Sequence, residues 1–231
     1  STSPARAQAL IEAGLVLLDG RPVAKASTLL APDAALTVTG RDHPWVSRGG
    51  CKLAHALTAF TLDPAGLVCL DIGASTGGFT DVLLHAGAAR VYAVDVGRDQ
   101  LAARLRADPR VIALDGVNAR YLGTAEVPEP VDLLVSDASF ISLELLLPAP
   151  LALVRPGGRL VALIKPQFEV GRGRLGKGGV VRDAALHAEV CERLSAWLAN
   201  QPGWRVTGLA DSPILGPDGN KEFLLAGEKA G

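Results

Sequence analysis

Two lysines and two carboxylates stand at the ends of expected elements in this chain: Lys52, Asp137, Lys165 and Glu222. Lys165 closes the run Leu160 to Ile164 and is followed by Pro166, so a strand there carries its ammonium at the strand's carboxyl end. Asp137 follows a second run, in Ser136-Asp137-Ala138-Ser139-Phe140, and Glu222 enters the last one, in Asn220-Lys221-Glu222-Phe223. A lysine desolvated at such an edge has its pKa drawn down from about 10.4, which makes the neutral amine available as a base. Carboxylates beside it orient it and also raise its pKa, and the sequence leaves that balance open. The chemistry that calls for such a group is removal of a proton from a weak nucleophile, such as a hydroxyl, as it attacks carbon. A positioned base contributes roughly 10²- to 10⁴-fold there. Blander readings stand beside this one, with Lys52 and Glu222 as solvated surface charges and Lys165 as a structural ion-pair partner.

A second constellation is Asp71-Ile72-Gly73-Ala74-Ser75-Thr76-Gly77-Gly78-Phe79-Thr80, where a strand turns into a helix. Glycines there let a ligand lie against bare backbone, and the helix supplies N–H donors. It is not a Walker A loop, because Phe79 follows Gly78 where lysine is required, and it is not a dinucleotide fingerprint, because Ser75 replaces the second glycine. An acid followed by G-x-x-x-G-G matches methyltransferases that bind S-adenosyl-L-methionine, in which no phosphate is cradled. Asp95, in Tyr92-Ala93-Val94-Asp95-Val96-Gly97, is placed to accept the ribose hydroxyls of a bound adenosine. The polar stretch Asp115 to Arg120 is placed to meet the adenine edge. The expected cofactor contacts are Asp71, Gly73, Ala74, Ser75, Thr76, Gly77, Gly78, Phe79, Asp95, Val96, Asn118 and Asp137. Amine-methylating enzymes of this kind commonly carry Asn/Asp-Pro-Pro-aromatic where this chain reads Asp137-Ala138-Ser139-Phe140, and no Pro-Cys dipeptide supports attack on a pyrimidine carbon. A hydroxyl acceptor is therefore expected.

The elements that must hold these groups alternate. Strands are expected near 67–72, 91–95, 110–114, 131–136 and 159–165, with helices near 52–60, 78–86, 98–107, 142–154 and 184–199. The last two strands, near 204–211 and 221–227, have no helix between them and should pair antiparallel. Ahead of this lies a small α+β unit, in which Ser3 caps a helix that carries Pro4 in its first turn and ends at Gly14. Leu15 to Leu18, the Asp19-Gly20 turn and Leu36 to Val38 then supply a hairpin. We divide the chain into residues 1–43 and 44–231, with 44–48 as linker. The fold class is α/β, a Rossmann-like class I methyltransferase domain behind a small N-terminal partial S4-like unit.

With 231 residues and a net charge of −1, the chain has one substantial core and no overall basic field, so any nucleic-acid affinity must come from local patches. Cys51, Cys69 and Cys191 form no pair or metal-binding spacing and are expected as buried thiols in a reducing cytoplasm; no metal site is expected. The longest apolar stretch, Leu143 to Val154, is too short to span a bilayer and contains Glu144, Pro148 and Pro150. Methionine is absent even at position 1, which suggests that native N-terminal sequence is missing.

The blocks Val46-Ser47-Arg48-Gly49-Gly50-Cys51-Lys52-Leu53, Asp71 to Thr80, Tyr92 to Gly97, Ser139-Phe140-Ile141-Ser142-Leu143 and Ile164-Lys165-Pro166-Gln167-Phe168-Glu169 resemble, in order, those of the TlyA-type (hemolysin A-like) family. Members of that family join an S4-like RNA-binding domain to an FtsJ/RrmJ-like ribose methyltransferase. The resemblance implies a K-D-K-E tetrad on Lys52, Asp137, Lys165 and Glu222, with Lys165 as the base. It implies S-adenosyl-L-methionine as cofactor, and ribosomal RNA or ribosomal subunits as partner. The expected product is a cytidine ribose 2′-O-methyl group. In the S4-like stretch Arg6, Arg21 and Lys25 are the expected phosphate contacts. Arg172, Arg174, Lys177 and Arg182 form a second basic patch in a Gly-rich loop, and Arg48 with Lys52 continues the track. Three other readings remain open: a nonenzymatic RNA- or ribosome-binding protein keeping the pocket as scaffold, a membrane-active hemolysin, and a small-molecule O-methyltransferase.

Overall fold

The computed structural model describes residues 4–12, 14–31, 34–39, 43–216 and 219–231, without the side chains of residues 4–6, 9, 172 and 177. The expected cap at Ser3 lies outside the described residues. The chain divides into two compact units, Ser1–Pro44 and Trp45–Gly231.

In the first unit, helix α1 (Pro4–Glu12) precedes strands β1 (Val16–Leu18), β2 (Arg21–Pro22) and β3 (Leu36–Val38). Asp19 and Gly20 both adopt positive φ, 48° and 77°, the geometry of the tight turn that matches strand twist, and they set Leu18 opposite Arg21. β1 also pairs antiparallel with β3, giving the order β2-β1-β3. The sequence reading missed β2, whose two residues carry no apolar pattern and end in a proline. Leu10, Val16 and Val23 form the small buried core.

The second unit begins with helix α2 (Gly49–Ala59), followed by β4 (Val68–Ile72), α3 (Gly78–His85), β5 (Arg90–Asp95), α4 (Ala103–Arg106), β6 (Val111–Asp115), β7 (Val131–Ser136), α5 (Leu143–Leu146), α6 (Pro148–Leu153), β8 (Val154–Ile164), α7 (Pro166–Glu169), α8 (Ala184–Ala199), β9 (Trp204–Asp211) and β10 (Phe223–Lys229). Seven strands form one sheet in the order β6-β5-β4-β7-β8-β10-β9. The first five run parallel, and β10 is antiparallel to both neighbours. The strands' period of two splits the core between the faces. Leu70, Leu134, Leu160 and Leu194 lie in one cluster, and Cys69, Leu133, Val161 and Leu53 in the other. Strand order reverses beside β4, which opens a crevice at the carboxyl ends of β4 and β7, where open α/β sheets bind ligands.

Three expectations are corrected. The helix near 98–107 shrinks to α4 because Asp99 takes a left-handed φ of 56°, incompatible with a helical start. The helix near 142–154 breaks into α5 and α6 at Pro148, which lacks the N–H that would continue the ladder. Cys51 is only half-buried, whereas burial pushes the Cys69 and Cys191 thiols up to about 12 and about 11, which leaves both unreactive.

Candidate active site

Three of the four functional side chains stand one residue outside a strand end, and the fourth lies on a helix. Asp137 extends β7, with its N–H on the Ile72 carbonyl at 3.0 Å. Lys165 extends β8, and Pro166 holds it in extended geometry (φ −117°, ψ 95°). Glu222 precedes β10, whose Phe223 pairs with Ile164, so it lies beside Lys165 on the neighbouring strand. Lys52 reaches the same place from α2.

The four form a chain of alternating charge. Lys52 Nζ is 2.6 Å from Glu222 Oε2 and 3.7 Å from Asp137 Oδ1, and Lys165 Nζ is 2.6 Å from the same Asp137 oxygen. The lysine side chains are each 8% exposed, Asp137 19% and Glu222 0%, so the surface-charge reading of Lys52 and Glu222 is excluded. Charges taken this far out of water persist only when paired, and here they are paired two against two. Lys165 Nζ also donates to the Asp137 carbonyl at 3.1 Å and to Ser139 Oγ at 3.0 Å.

The glycine loop lies next to this chain. Gly73 and Ala74 donate to the Val94 carbonyl at 2.9 and 3.1 Å, which ties the loop to β5. Gly73 has φ 80°, and a Cβ there would sit 3.0 Å from the Ala138 backbone, so the loop lies against the segment that carries Asp137. Gly77 (φ 95°) ends the loop and starts α3. Ser75 and Thr76 are exposed, Ala74 and Gly78 are buried, and the Phe79 ring packs into the core at 3% exposure, leaving only its backbone to a ligand.

Asp71 is fully buried. Thr80 Oγ1 donates to its Oδ2 at 2.7 Å, while Oδ1 has no hydrogen-bond partner. Burial pushes this carboxyl up to about 7, against the pull of the Thr80 hydroxyl and with a further push from the Asp137 charge. Asp95 accepts from Ser75 N at 2.8 Å and from Gly97 N at 2.7 Å, one bond to each carboxylate oxygen, which leaves each with capacity for another. Val96 beside it is 71% exposed. Asn118 caps the 3₁₀ turn Ala119–Tyr121, accepting from Arg120 N at 3.1 Å, with its amide donor left over. An orphaned buried carboxylate oxygen, a glycine loop and a strand-end acid with spare lone pairs together fit a nucleoside bearing a cationic group.

The segment ahead of α2 packs within the second unit. Val46 N donates to Asp81 Oδ2 at 2.8 Å, Arg104 bonds the same oxygen at 2.5 Å, and the Trp45 ring meets His85 edge-on at 5.4 Å.

The described residues show part of the expected basic patch. Arg174 forks onto Glu189 of α8 with two 2.5 Å contacts, so its charge is shared with that exposed carboxylate. Arg182, Arg21 and Lys25 are exposed, and Arg48 is half-buried with Nη2 3.4 Å from the Leu215 carbonyl. The side chains of Arg6, Arg172 and Lys177 lie outside the description. Among the described residues no group of ligating side chains could hold a metal, and no helix is long and apolar enough to cross a membrane.

The structure adds residues to which sequence reasoning assigned no chemistry. Ser139 bonds the lysine, and Phe140 is 89% exposed with φ 67° and its ring 4.9 Å from that of Phe168. Glu169 accepts from Ser142 Oγ at 2.8 Å, Leu143 N at 2.9 Å and Arg193 Nη2 at 3.0 Å, which pins α7 to α5 and α8. Their signal was the block Ser139 to Leu143, legible as a block but not as chemistry.

Comparison with known proteins identifies the family. Residues 45–229 match the FtsJ-like methyltransferase family. The 16S/23S rRNA (cytidine-2′-O)-methyltransferase TlyA of Mycobacterium tuberculosis is 49% identical over 221 residues, 95% of this chain and 82% of that protein. YqxC of Bacillus subtilis, named as a candidate rRNA methyltransferase, is 44% identical over 95% of this chain and 78% of its own length. A solved structure described as a hemolysin from Streptococcus thermophilus superposes with a TM-score of 0.81 at 42% identity, covering 98% of this chain and 82% of that one.

Proposed function

This chain belongs to the FtsJ-like methyltransferase family, and on that premise we propose that it is a cytoplasmic enzyme that methylates a ribose 2′-hydroxyl of ribosomal RNA, a cytidine by the resemblance to TlyA. The observation that carries the reading is the buried ion chain Glu222–Lys52–Asp137–Lys165 lying beside the glycine loop at the carboxyl edge of the sheet. When bound, S-adenosyl-L-methionine supplies an electrophilic methyl group on a sulfonium.

The chain's own residues supply the rest. The loop from Gly73 to Gly78 would offer backbone to the cofactor, Asp95 would accept its ribose hydroxyls, and Asp71, with one unpaired carboxylate oxygen, would offset its positive charge. Val96 and Asn118 would border the adenine. Lys165 in its neutral form takes the proton of the attacking hydroxyl. Asp137 orients that lysine through two oxygens, and Glu222 holds Lys52 so that the second ammonium stays beside Asp137. Arg21, Lys25, Arg48 and Arg182 are the described cations available to phosphates, with Arg6, Arg172 and Lys177 assigned the same part from sequence.

The test is tritium transfer from labelled S-adenosylmethionine to ribosomal subunits that lack their native methylation, comparing the wild type with Lys165→Ala. Ribose-localised label that drops at least about 100-fold in the variant, with cofactor binding retained, is the expected result. A folded, cofactor-binding wild type that labels neither subunit nor their mixture would reject the reading in favour of an RNA-binding scaffold.

A further inference from the structure

We propose that Ser139 is a catalytic residue that relays the substrate proton to Lys165, an inference that rests on Lys165 acting as the base. The Lys165 side chain is 8% exposed, and three oxygens surround its nitrogen: Nζ donates to the Asp137 carbonyl at 3.1 Å and to Ser139 Oγ at 3.0 Å, and it lies 2.6 Å from Asp137 Oδ1 in an ion pair. A substrate hydroxyl meets this shell of oxygens before it meets the nitrogen, so its proton is traced through one of the three.

Two of those contacts are unsuited to the task. A backbone carbonyl accepts hydrogen bonds and donates none. Asp137 Oδ1 lies 2.6 and 3.7 Å from two lysine nitrogens, and an oxygen so flanked is a poor proton acceptor. The serine hydroxyl both accepts and donates. It is also solvent-exposed, whereas the lysine behind it is 8% exposed, so it stands between the buried nitrogen and the place an RNA ribose would come from.

The loop is built to hold the hydroxyl there. Phe140 adopts φ 67°, a left-handed conformation that an aromatic L-residue takes at a cost of about 1–2 kcal/mol, and this turn reverses the chain directly after Ser139. Its ring is braced against Phe168, two residues into α7 from the Pro166 that follows the lysine. At the far end of the loop the buried Glu169 carboxylate takes Ser142 Oγ and Leu143 N. Ser139 is thus fixed from both sides against the element that carries Lys165.

In the step itself, neutral Lys165 takes the Ser139 hydroxyl proton while Ser139 Oγ takes the ribose proton. The ribose oxygen forms the new bond to the methyl carbon, and the carbon–sulfur bond breaks with its electron pair on sulfur. The step ends with a lysine ammonium and an intact serine hydroxyl, and nothing is oxidised or reduced. The charged groups facing Lys165 are Asp137 at the end of β7, with Lys52 from α2 and Glu222 ahead of β10 behind it.

Single-turnover methyl transfer to undermethylated ribosomal subunits is measured against pH for the wild type, Ser139→Ala, Ser139→Thr and Lys165→Ala, with calorimetric S-adenosylmethionine affinity and thermal unfolding recorded for each. Ser139→Ala should lose about 10- to 100-fold in plateau rate and keep cofactor affinity and unfolding temperature, while Ser139→Thr recovers to within a few-fold of wild type. Ser139→Ala with the wild-type rate and profile, alongside an inactive Lys165→Ala, overturns the relay and leaves the base assignment standing. So does a rate loss that Thr does not repair or that comes with lost cofactor affinity. A fully active Lys165→Ala overturns the base assignment, and the relay falls with it.

Discussion

Asp71 and Glu222 are both carboxylates without exposure, and they are handled in opposite ways. Glu222 meets the Lys52 ammonium at 2.6 Å, so its charge is matched where it is buried. Asp71 has only neutral donors from Thr80 and no cation, and burial pushes it up to about 7 from 3.8. The folded protein therefore keeps a proton between about pH 4 and 7 that the unfolded chain has released. Stability contributed through this group falls as pH rises across that window and is flat above it. Asp71→Asn keeps an acceptor for Thr80 and removes the titration. Its stability relative to wild type, read from urea unfolding, should be near zero at pH 4 and rise to roughly 1–4 kcal/mol at pH 8. A difference independent of pH would mean that the native carboxylate is ionised and satisfied throughout. A carboxylate maintained at this cost fits a site that gains a cationic ligand, and added S-adenosylmethionine should shrink the pH-dependent difference by lowering the Asp71 pKa.

Elements bring these residues together by ending in the right places. β4 and β7 stop on the same rung and β8 runs two residues past it, so Gly73, Asp137 and Lys165 all leave the sheet at its carboxyl edge. Gly73 is the tightest point, with φ 80° and the Ala138 backbone 3.0 Å from where a Cβ would lie. Gly73→Ala therefore strains the loop and pushes it from the Asp137 segment, costing about 1–3 kcal/mol of stability and at least about 10-fold in S-adenosylmethionine affinity by calorimetry. Unchanged affinity would show that the loop is not the cofactor cradle. The strand tips were legible because each apolar run ends in a glycine, an acid or a proline, and so the four ionisable residues could be named before any geometry was known. Their pairing was not legible. Lys52 and Glu222 are far apart in sequence, and only the antiparallel insertion of β10 beside β8 sets Glu222 next to Lys165 and within reach of α2. Local exceptions were hidden for a related reason: the left-handed Asp99 shortened α4, and the left-handed Phe140 aimed Ser139, and neither residue type announces that conformation. The pairing of Arg174 was not legible either, because its partner, Glu189, comes from α8, outside the loop being read.

At the scale of the molecule, a net charge of −1 means that affinity for RNA rests on a few placed cations, while catalysis belongs to the unit from Trp45 to Gly231. Where that unit begins is itself a structural question. The sequence reading set 44–48 apart as a linker, but Trp45 packs so closely on Gly50 that a Cβ there would sit 2.4 Å from the Trp45 Cγ, and Val46 N is held by the buried Asp81 of α3. Ser47 Oγ likewise occupies the space above Gly78, the first residue of the helix that follows the cofactor loop. These three residues therefore bridge the helix carrying Lys52 and the helix that closes the loop. A chain of residues 45–231 should fold and bind S-adenosylmethionine. A chain of residues 49–231 loses the Trp45 contacts and leaves Asp81 with only the half-exposed Arg104, and should be about 3–5 kcal/mol less stable in urea. Its cofactor affinity should fall as well, because α3 loses its brace at the end where the loop arrives. Equal stability and equal affinity of the two chains would make residues 45–48 a passive tether and place the unit's true start at Gly49.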